Sequence, residues 1–443
     1  MKKMDFSNFG IKFVLIFIMV LLFLIPIHMI KNLIEDREDY KSDAIESIVI
    51  PLGKTAAFQG IAIAVPYKSH KESVDRDGTR VIETETKYVI FAPVSYKLDF
   101  AVNPYYLTRG IFKVPVFSGQ IQLEAAFDDF DFTYFNKIEK KDIMLNESVL
   151  VMGISNPKNI TAQPNLSING VELPVSPIKY DYISTFATSI CYNLSGVDFS
   201  KKLNLTGTVN FQGGEKIRIC PIASETTTIT MESAWQSPSF SGGWLPQVRR
   251  LDDTGFSASW SIAGLSTVFP KSWLYEDNFS PESVEVSLIV PVDAYQKTTR
   301  SVKYAFLFLV IPFIALMMCE VFSKIRIHPV QYGLIGFADI MFYLLLLSIS
   351  EHIPFDFAYF ICAIAVCTTT LLYAMAILKN LKWGLFLSLV HLVSYTFLYG
   401  TLQAEDYALL IGSLGLFSVV GLLMFVTRKI DWYEITKKKD LSE

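Results

Sequence analysis

The chain has 443 residues, 51% of them hydrophobic and only 19% charged, with a mean hydropathy of +0.36 and a formal net charge of −4. A soluble protein of this length carries about 25% charged residues, so the composition points to a membrane protein. The small net charge forms no basic stripe, which excludes nucleic acid as a partner.

Residues 1–12 carry Lys2, Lys3 and Lys12 and read as a short cytoplasmic N-terminus. The apolar run 13–30, interrupted only by Pro26 and His28, nearly crosses a hydrocarbon core about 30 Å thick at about 1.5 Å per residue. A cleavable signal peptide has a shorter apolar core of about 7–15 residues and a small-x-small cleavage site, which Pro-Ile-His-Met-Ile lacks. An uncleaved anchor helix is therefore expected.

Hydropathy then drops until Tyr304, and 31–303 reads as one large polar domain. Its acidic first part, Lys31 to Ile48, is compatible with a helix joining the anchor to the first strands. Segments such as Val89 to Phe100, Gly119 to Glu124, Thr227 to Met231, Ser257 to Ile262 and Val284 to Leu288 alternate polar with apolar residues, as half-buried strands do. Asn169-Gly170 tolerates the positive φ that both centres of a type I′ hairpin turn require. A mainly-β sandwich, or a pair of sandwiches, suits this length and strand count. Cys191 and Cys220 are the two cysteines of this domain and a candidate disulfide, whereas Cys319, Cys362 and Cys367 fall in apolar runs and read as small hydrophobes.

Five apolar runs follow at 304–322, 330–350, 357–378, 384–401 and 407–427, each near the 17–25 residues of a spanning helix. The expected fold is an α-helical multi-pass membrane protein of about six transmembrane helices, with the β domain exported between helices 1 and 2. The short loops fix its orientation, because Lys and Arg are retained inside. Lys324 with Arg326, Lys379 with Lys382, and the tail 428–443 with Arg428, Lys429 and Lys437 to Lys439 all fall on the side of the N-terminus. The loops Glu351 to Asp356 and Gln403 to Asp406 lack basic residues and fall outside. Gly333, Gly336, Gly412 and Gly415 suit close helix approach, within one chain or between chains.

The stretch SKIRIHPVQYG, 323–333, is read as a topological seam. Lys324 and Arg326 meet lipid headgroups in a tight cytoplasmic turn, Pro329 starts the next helix, and His328 lies at headgroup level without a second metal-ligating group nearby. No phosphate loop, HExxH, CxxC or Gly-x-Ser-x-Gly occurs, so no catalytic residue, metal or cofactor is expected. Two weaker constellations remain as candidates for a ligand or proton site. Asp339 falls at mid-membrane depth, where a carboxylate is costly and calls for a partner, with His391 one candidate. Glu351, His352, Glu405 and Asp406 gather at the outer helix ends, where a histidine among carboxylates can bind a cation or move protons, although acids also collect outside simply because basic residues stay inside.

Several stretches carry a family resemblance: LLFLIPIHMIKNLIEDREDYKSD, AWQSPSFSGGWLP, VSLIVPVDAYQKTTRSVKY, RIHPVQYGLIG, FYLLLLSISEHI, LQAEDYALLIGSLGLF and TRKIDWYE. In order and spacing they resemble the CreD family of bacterial inner-membrane proteins. The resemblance covers the chain from the first apolar run to the tail, and between about 70 and 225 it rests only on the strand pattern. It implies a bacterial inner-membrane location and a role in cell envelope integrity, with expression tied to a two-component system and to cell-wall damage. It supplies no catalytic residue or ligand. The expected function is that of a non-enzymatic envelope-stress protein whose periplasmic domain binds or senses a ligand or envelope protein, with the lipid bilayer as its other partner. The alternatives are a proton-coupled transporter or flippase and, third, a metal-assisted membrane hydrolase. Oligomeric state is not legible.

Overall fold

The computed structural model describes residues 7–74, 80–128, 130–136, 138–176, 186, 188–267, 269–277, 279, 282–288, 294–323, 325–404 and 407–428. Lys324, Glu405 and Asp406 lie outside the described residues, as does the tail beyond Arg428. The chain divides into two compact units, Met1–Lys41 with Val292–Glu443, and Ser42–Pro291.

The first unit is helical. It holds the N-terminal part of α1 (Ser7–Leu52), then α2 (Ala294–Lys303), α3 (Ala305–Ser323), α4 (Pro329–Ser350), α5 (Phe355–Leu378), α6 (Leu381–Gln403) and α7 (Ala408–Thr427). Among the described residues five helices are long and apolar enough to cross a membrane: α1, α3, α4, α5 and α6. A sixth span was expected at 407–427. There α7 forms, and its fully described apolar stretch, Leu410–Gly421, is shorter than a span. Phe313 and Phe23 pack against Gly336, and Phe397 against Gly415, so both glycines let helices of one chain approach closely.

The unit boundaries depart from hydropathy at both ends. Residues 31–41 continue α1 without a break, and the polar helix α2 belongs with the apolar ones, not with the β domain expected to run from 31 to 303. The reason lies on one face of α2, where Tyr295, Thr298, Ser301 and Val302 recur at helical spacing and are buried. Averaged hydropathy misses so short an amphipathic helix.

The second unit is a β-sandwich. Its strands in chain order are β1 (Thr55–Val74), β2 (Arg80–Phe91), β3 (Ser95–Arg109), β4 (Phe112–Phe127), β5 (Val149–Ile154), β6 (Asn165–Ile168), β7 (Val171–Glu172), β8 (Val175–Ser176), β9 (Thr188–Asn193), β10 (Leu203–Gly213), β11 (Lys216–Ile219), β12 (Thr226–Ser233), β13 (Pro238–Gly242), β14 (Val248–Asp252), β15 (Gly255–Ala263), β16 (Ser272–Leu274) and β17 (Val284–Leu288). One sheet runs β13-β17-β11-β1-β5-β9-β8, with β2 joining β1 to β16. The other runs β14-β15-β12-β3-β4-β10-β6-β7. Their inner faces share one core, in which the Phe58 ring of β1 meets Phe100 of β3 at 5.7 Å and Phe211 of β10 at 5.4 Å. The alternating burial of β4 and β12 comes from this arrangement, apolar side chains inward and polar ones out.

Two local features of this unit follow from single residues. The stretch 89–100, expected as one strand, is two, because Pro93 has no amide to donate and the chain passes there from one sheet to the other. Asn169 and Gly170 have φ of 49° and 84° and close the hairpin between β6 and β7, with Ile168 opposite Val171.

The candidate disulfide is not formed. Cys191 on β9 and Cys220 beside β11 are buried thiols in one sheet, with β5 and β1 between their strands. Three strand spacings of about 4.8 Å exceed the reach of a disulfide. Burial pushes the Cys220 thiol up to about 11.

Candidate functional site: polar groups among the apolar helices

Hydrocarbon offers no hydrogen bonds, so polar side chains within apolar helices must satisfy one another or stand ready for something else. In the helical unit three such groups lie at successive depths, from the middle of the helices outward.

Asp339 and Tyr343 lie one turn apart on α4, and His391 and Tyr395 one turn apart on α6, so each pair shares a face. These faces meet. His391 Nε2 is 3.1 Å from Asp339 Oδ1, to which the Tyr395 hydroxyl also donates at 3.4 Å. Both members of the acid–histidine pair are buried, Asp339 at 3% and His391 at 1% exposure. The other imidazole nitrogen, Nδ1, is 2.9 Å from the Leu387 carbonyl, which can only accept, so Nδ1 carries a proton. Nε2 and Oδ1 therefore share one proton, as imidazolium with carboxylate or imidazole with carboxylic acid. The pair is neutral in sum either way. Adding or removing a proton would leave a net charge away from water, which is unfavourable. Phe342 stacks on Tyr395 at 4.4 Å and the Tyr359 hydroxyl donates to the Tyr395 carbonyl at 2.6 Å, which fixes α4, α5 and α6 around the pair. Asp339 Oδ2, the Tyr343 hydroxyl and Thr370 Oγ1 are buried without a hydrogen-bond partner among the described residues. A network left open in this way can take up a water or a proton donor.

A second group surrounds Glu320 near the end of α3. Lys12 Nζ lies 2.5 and 2.6 Å from its two oxygens, the Tyr332 hydroxyl donates to Oε2 at 2.8 Å, and the Ile327 amide donates to Oε1 at 3.3 Å. Lys12 also donates to the Ile327 carbonyl and lies 5.3 Å over the Tyr332 ring. This explains much of RIHPVQY. Ile327 and Tyr332 hold Glu320, while His328 caps α4, accepting from the Val330 amide at 3.3 Å as its own amide donates to Gln331 at 2.9 Å. Helix α4 starts at Pro329, as the sequence suggested, and His328 and Arg326 are exposed.

The third group lies where the outer acidic cluster was expected. Glu351 accepts from the Tyr295 hydroxyl at 2.9 Å and pairs with Arg37 Nε at 3.5 Å, stitching α1 and α2 to the end of α4. Asp356 accepts from Tyr399 at 3.1 Å and from Gln403 at 2.9 Å, tying α5 to α6. His352 is exposed. Asp339 and Glu351 lie three turns apart on α4, about 18 Å, so the two acidic candidates do not form one site. Among the described residues no three His, Cys, Asp or Glu side chains are grouped to hold a metal ion.

The β-sandwich presents a different kind of surface. On the outer face of the eight-stranded sheet, Gln122 and Glu124 of β4, Asn165 and Ser167 of β6, and Thr206 and Thr208 of β10 line a groove of about 780 Å³. Its lining is rich in amide and hydroxyl groups, the equipment of a site that binds by hydrogen bonds.

The family model of the inner membrane protein CreD matches residues 8–433. The chain belongs to the CreD family. It is similar to the inner membrane protein CreD of Escherichia coli (strain K12), with 30% identity over 427 residues, 95% of this chain and 93% of that protein. Membership together with the apolar helices makes it a multi-pass inner membrane protein. Among solved structures, an M1 zinc metallopeptidase from Deinococcus radiodurans aligns over 44% of this chain and 42% of its own at 10% identity. Its TM-score is 0.22, too slight a likeness to bear on fold or activity.

Glu320 is the polar residue that the sequence did not bring forward. It lies close to the end of an apolar run, where an acid passes for a boundary residue, and Lys12 is 308 positions away. The signal available was an acid inside the 304–322 run, where a carboxylate is costly and calls for a partner.

Proposed function

We propose that the protein supports the integrity of the cell envelope without catalysing a reaction, with its β-sandwich exported to bind or sense an envelope component. The apolar helices anchor it, both termini being cytoplasmic by the distribution of Lys and Arg. The observation that carries this reading is the hydrogen-bonding groove on the outer sheet face, set against helix-end acids already engaged by neighbouring helices. Its test is rescue of a deletion strain under envelope stress by the full chain carrying Thr206→Arg or Thr208→Arg, with abundance measured in the membrane fraction. The groove reading expects lost rescue at normal abundance. Full rescue by both variants would overturn it.

A proton-coupled transporter is the second reading, favoured by the buried Asp339–His391 pair and the unpartnered oxygen beside it. It expects Asp339→Asn to abolish rescue at normal abundance, and proton-dependent substrate movement in vesicles.

A further inference from the structure

A groove of about 880 Å³ runs between α3, α6 and α7. On α3 its lining extends from Phe308 through Ala315 to Phe322, nearly the whole length of the helix, and the facing walls include Phe397, Leu414 and Trp383. Almost every lining side chain is apolar. Water in such a slot finds no partners, so in a membrane the medium that fills it is acyl chain.

One end of the groove carries two lysines beside a pair of aromatic rings. Phe322 and Trp383 stack there, their rings 6.4 Å apart and nearly parallel. Lys379, the left-handed C-cap of α5, and Lys382, in the first turn of α6, lie four residues and one residue before Trp383. Both lysines are exposed, and neither forms an ion pair among the described residues. Glu320, the acid of α3 at this end, is already matched by Lys12. The start of a 23-residue helix adds its own positive field at the same point. A long apolar slot opening at a cationic, aromatic mouth matches one class of molecule in both halves.

We infer that the α3–α6–α7 groove binds an anionic phospholipid, its acyl chain between the helices and its phosphate on Lys379 and Lys382. The lipid adds to the packing of α7 on the rest of the unit, where Phe397 lies against Gly415. This site is separate from Asp339 and from the β-sandwich, and it does not depend on which side of the membrane the lysines face.

Trp383 reports on its own site. The full chain is placed in phosphatidylcholine vesicles holding a minor fraction of brominated phosphatidylglycerol or, in parallel, brominated phosphatidylcholine. The quenching lost in Trp383→Phe is assigned to Trp383. A basic residue beside an anionic lipid changes relative binding by about fivefold, and two by up to about 30-fold. Quenching by the brominated anionic lipid is expected to exceed that by the zwitterionic one at least about fivefold in relative affinity, and Lys379→Gln with Lys382→Gln to abolish the difference. Ala315→Leu, which fills the groove, should reduce quenching by both. Equal quenching by the two lipids would mean ordinary annular lipid and would overturn the inference. Native mass spectrometry of the detergent-purified chain gives an independent reading, since one retained anionic lipid, lost in the double lysine variant, is expected. Retention of none, or of both lipid classes equally, would also overturn it.

Discussion

Glu320→Leu tests the packing of the helical unit, because the substitution roughly keeps side-chain volume while removing every acceptor at one point. Three donors then lose an acceptor: the Lys12 ammonium, which keeps the Ile327 carbonyl, the Tyr332 hydroxyl and the Ile327 amide. Hydrogen bonds between membrane helices are worth about 0.6–1.7 kcal/mol each, which gives about 2–5 kcal/mol for three. Removing one member of a buried ion pair costs about 3–5 kcal/mol by a separate route, and here Glu320 and Lys12 side chains are only 6% and 15% exposed. Lys12 sits in the second turn of α1 and can extend toward water, which moves the expectation to the lower end, about 3 kcal/mol. The double variant Lys12→Met/Glu320→Leu removes both charges and should recover at least about half of that loss, because apolar replacement of a buried pair is often neutral. Reversible unfolding of the full chain in mixed micelles, run as a double-mutant cycle, measures both numbers. A single-variant loss below about 1 kcal/mol, or a double variant no better than the sum of its singles, would refute the reasoning.

Three further outcomes can be checked on the same preparation. Glu285 on β17 is held below the usual carboxylate range, first by its hydrogen bond from Lys216 at 2.7 Å and further by Arg218. A lowered native pKa contributes stability above the unfolded value, so that contribution should fade as pH drops below about 4, and Glu285→Gln should flatten this part of the stability curve. Gly336→Leu drives a side chain toward Phe313 and Phe23 and should cost about 1–3 kcal/mol in thermal unfolding of the helical unit, whereas an unchanged transition would mean that α1 and α3 do not close there. Reducing agent should leave the melting of the β-sandwich unchanged, and Cys191 and Cys220 should react with maleimide only after denaturation; a shift on reduction would show a bridge that the sheet order forbids.

What the sequence disclosed follows the range of the forces involved. Hydrocarbon thickness demands about 20 apolar residues in a row, so α3 to α6 were visible by length alone. The turn at Asn169-Gly170 was equally visible, because positive φ at two successive residues admits few dipeptides. Asp339 stood out by depth, and His391 could be named as its partner since few polar side chains share that depth. Relations between distant segments were not legible. Nothing local pairs Thr55 with Lys216 in parallel, or Lys12 with Glu320, and nothing keeps two cysteines three strands apart. Glu351 was read with His352, Glu405 and Asp406 because all fall at outer helix ends, yet Glu351 turned to a tyrosine on another helix.

The pairing of β1 also sets an order of events. Its first residues wait for Lys216 to Ile219, its middle for Val149 to Ile154, and β11 in turn for β17 at Val284 to Leu288. Until those segments have been synthesised, Ala56 to Val65, an almost wholly apolar stretch, has few of the neighbours that bury it. Such non-local topology makes folding slow. The sandwich is thus completed only by the last strand before α2, and for most of its synthesis the chain carries an adhesive segment near its start that must be kept from other chains until that strand arrives.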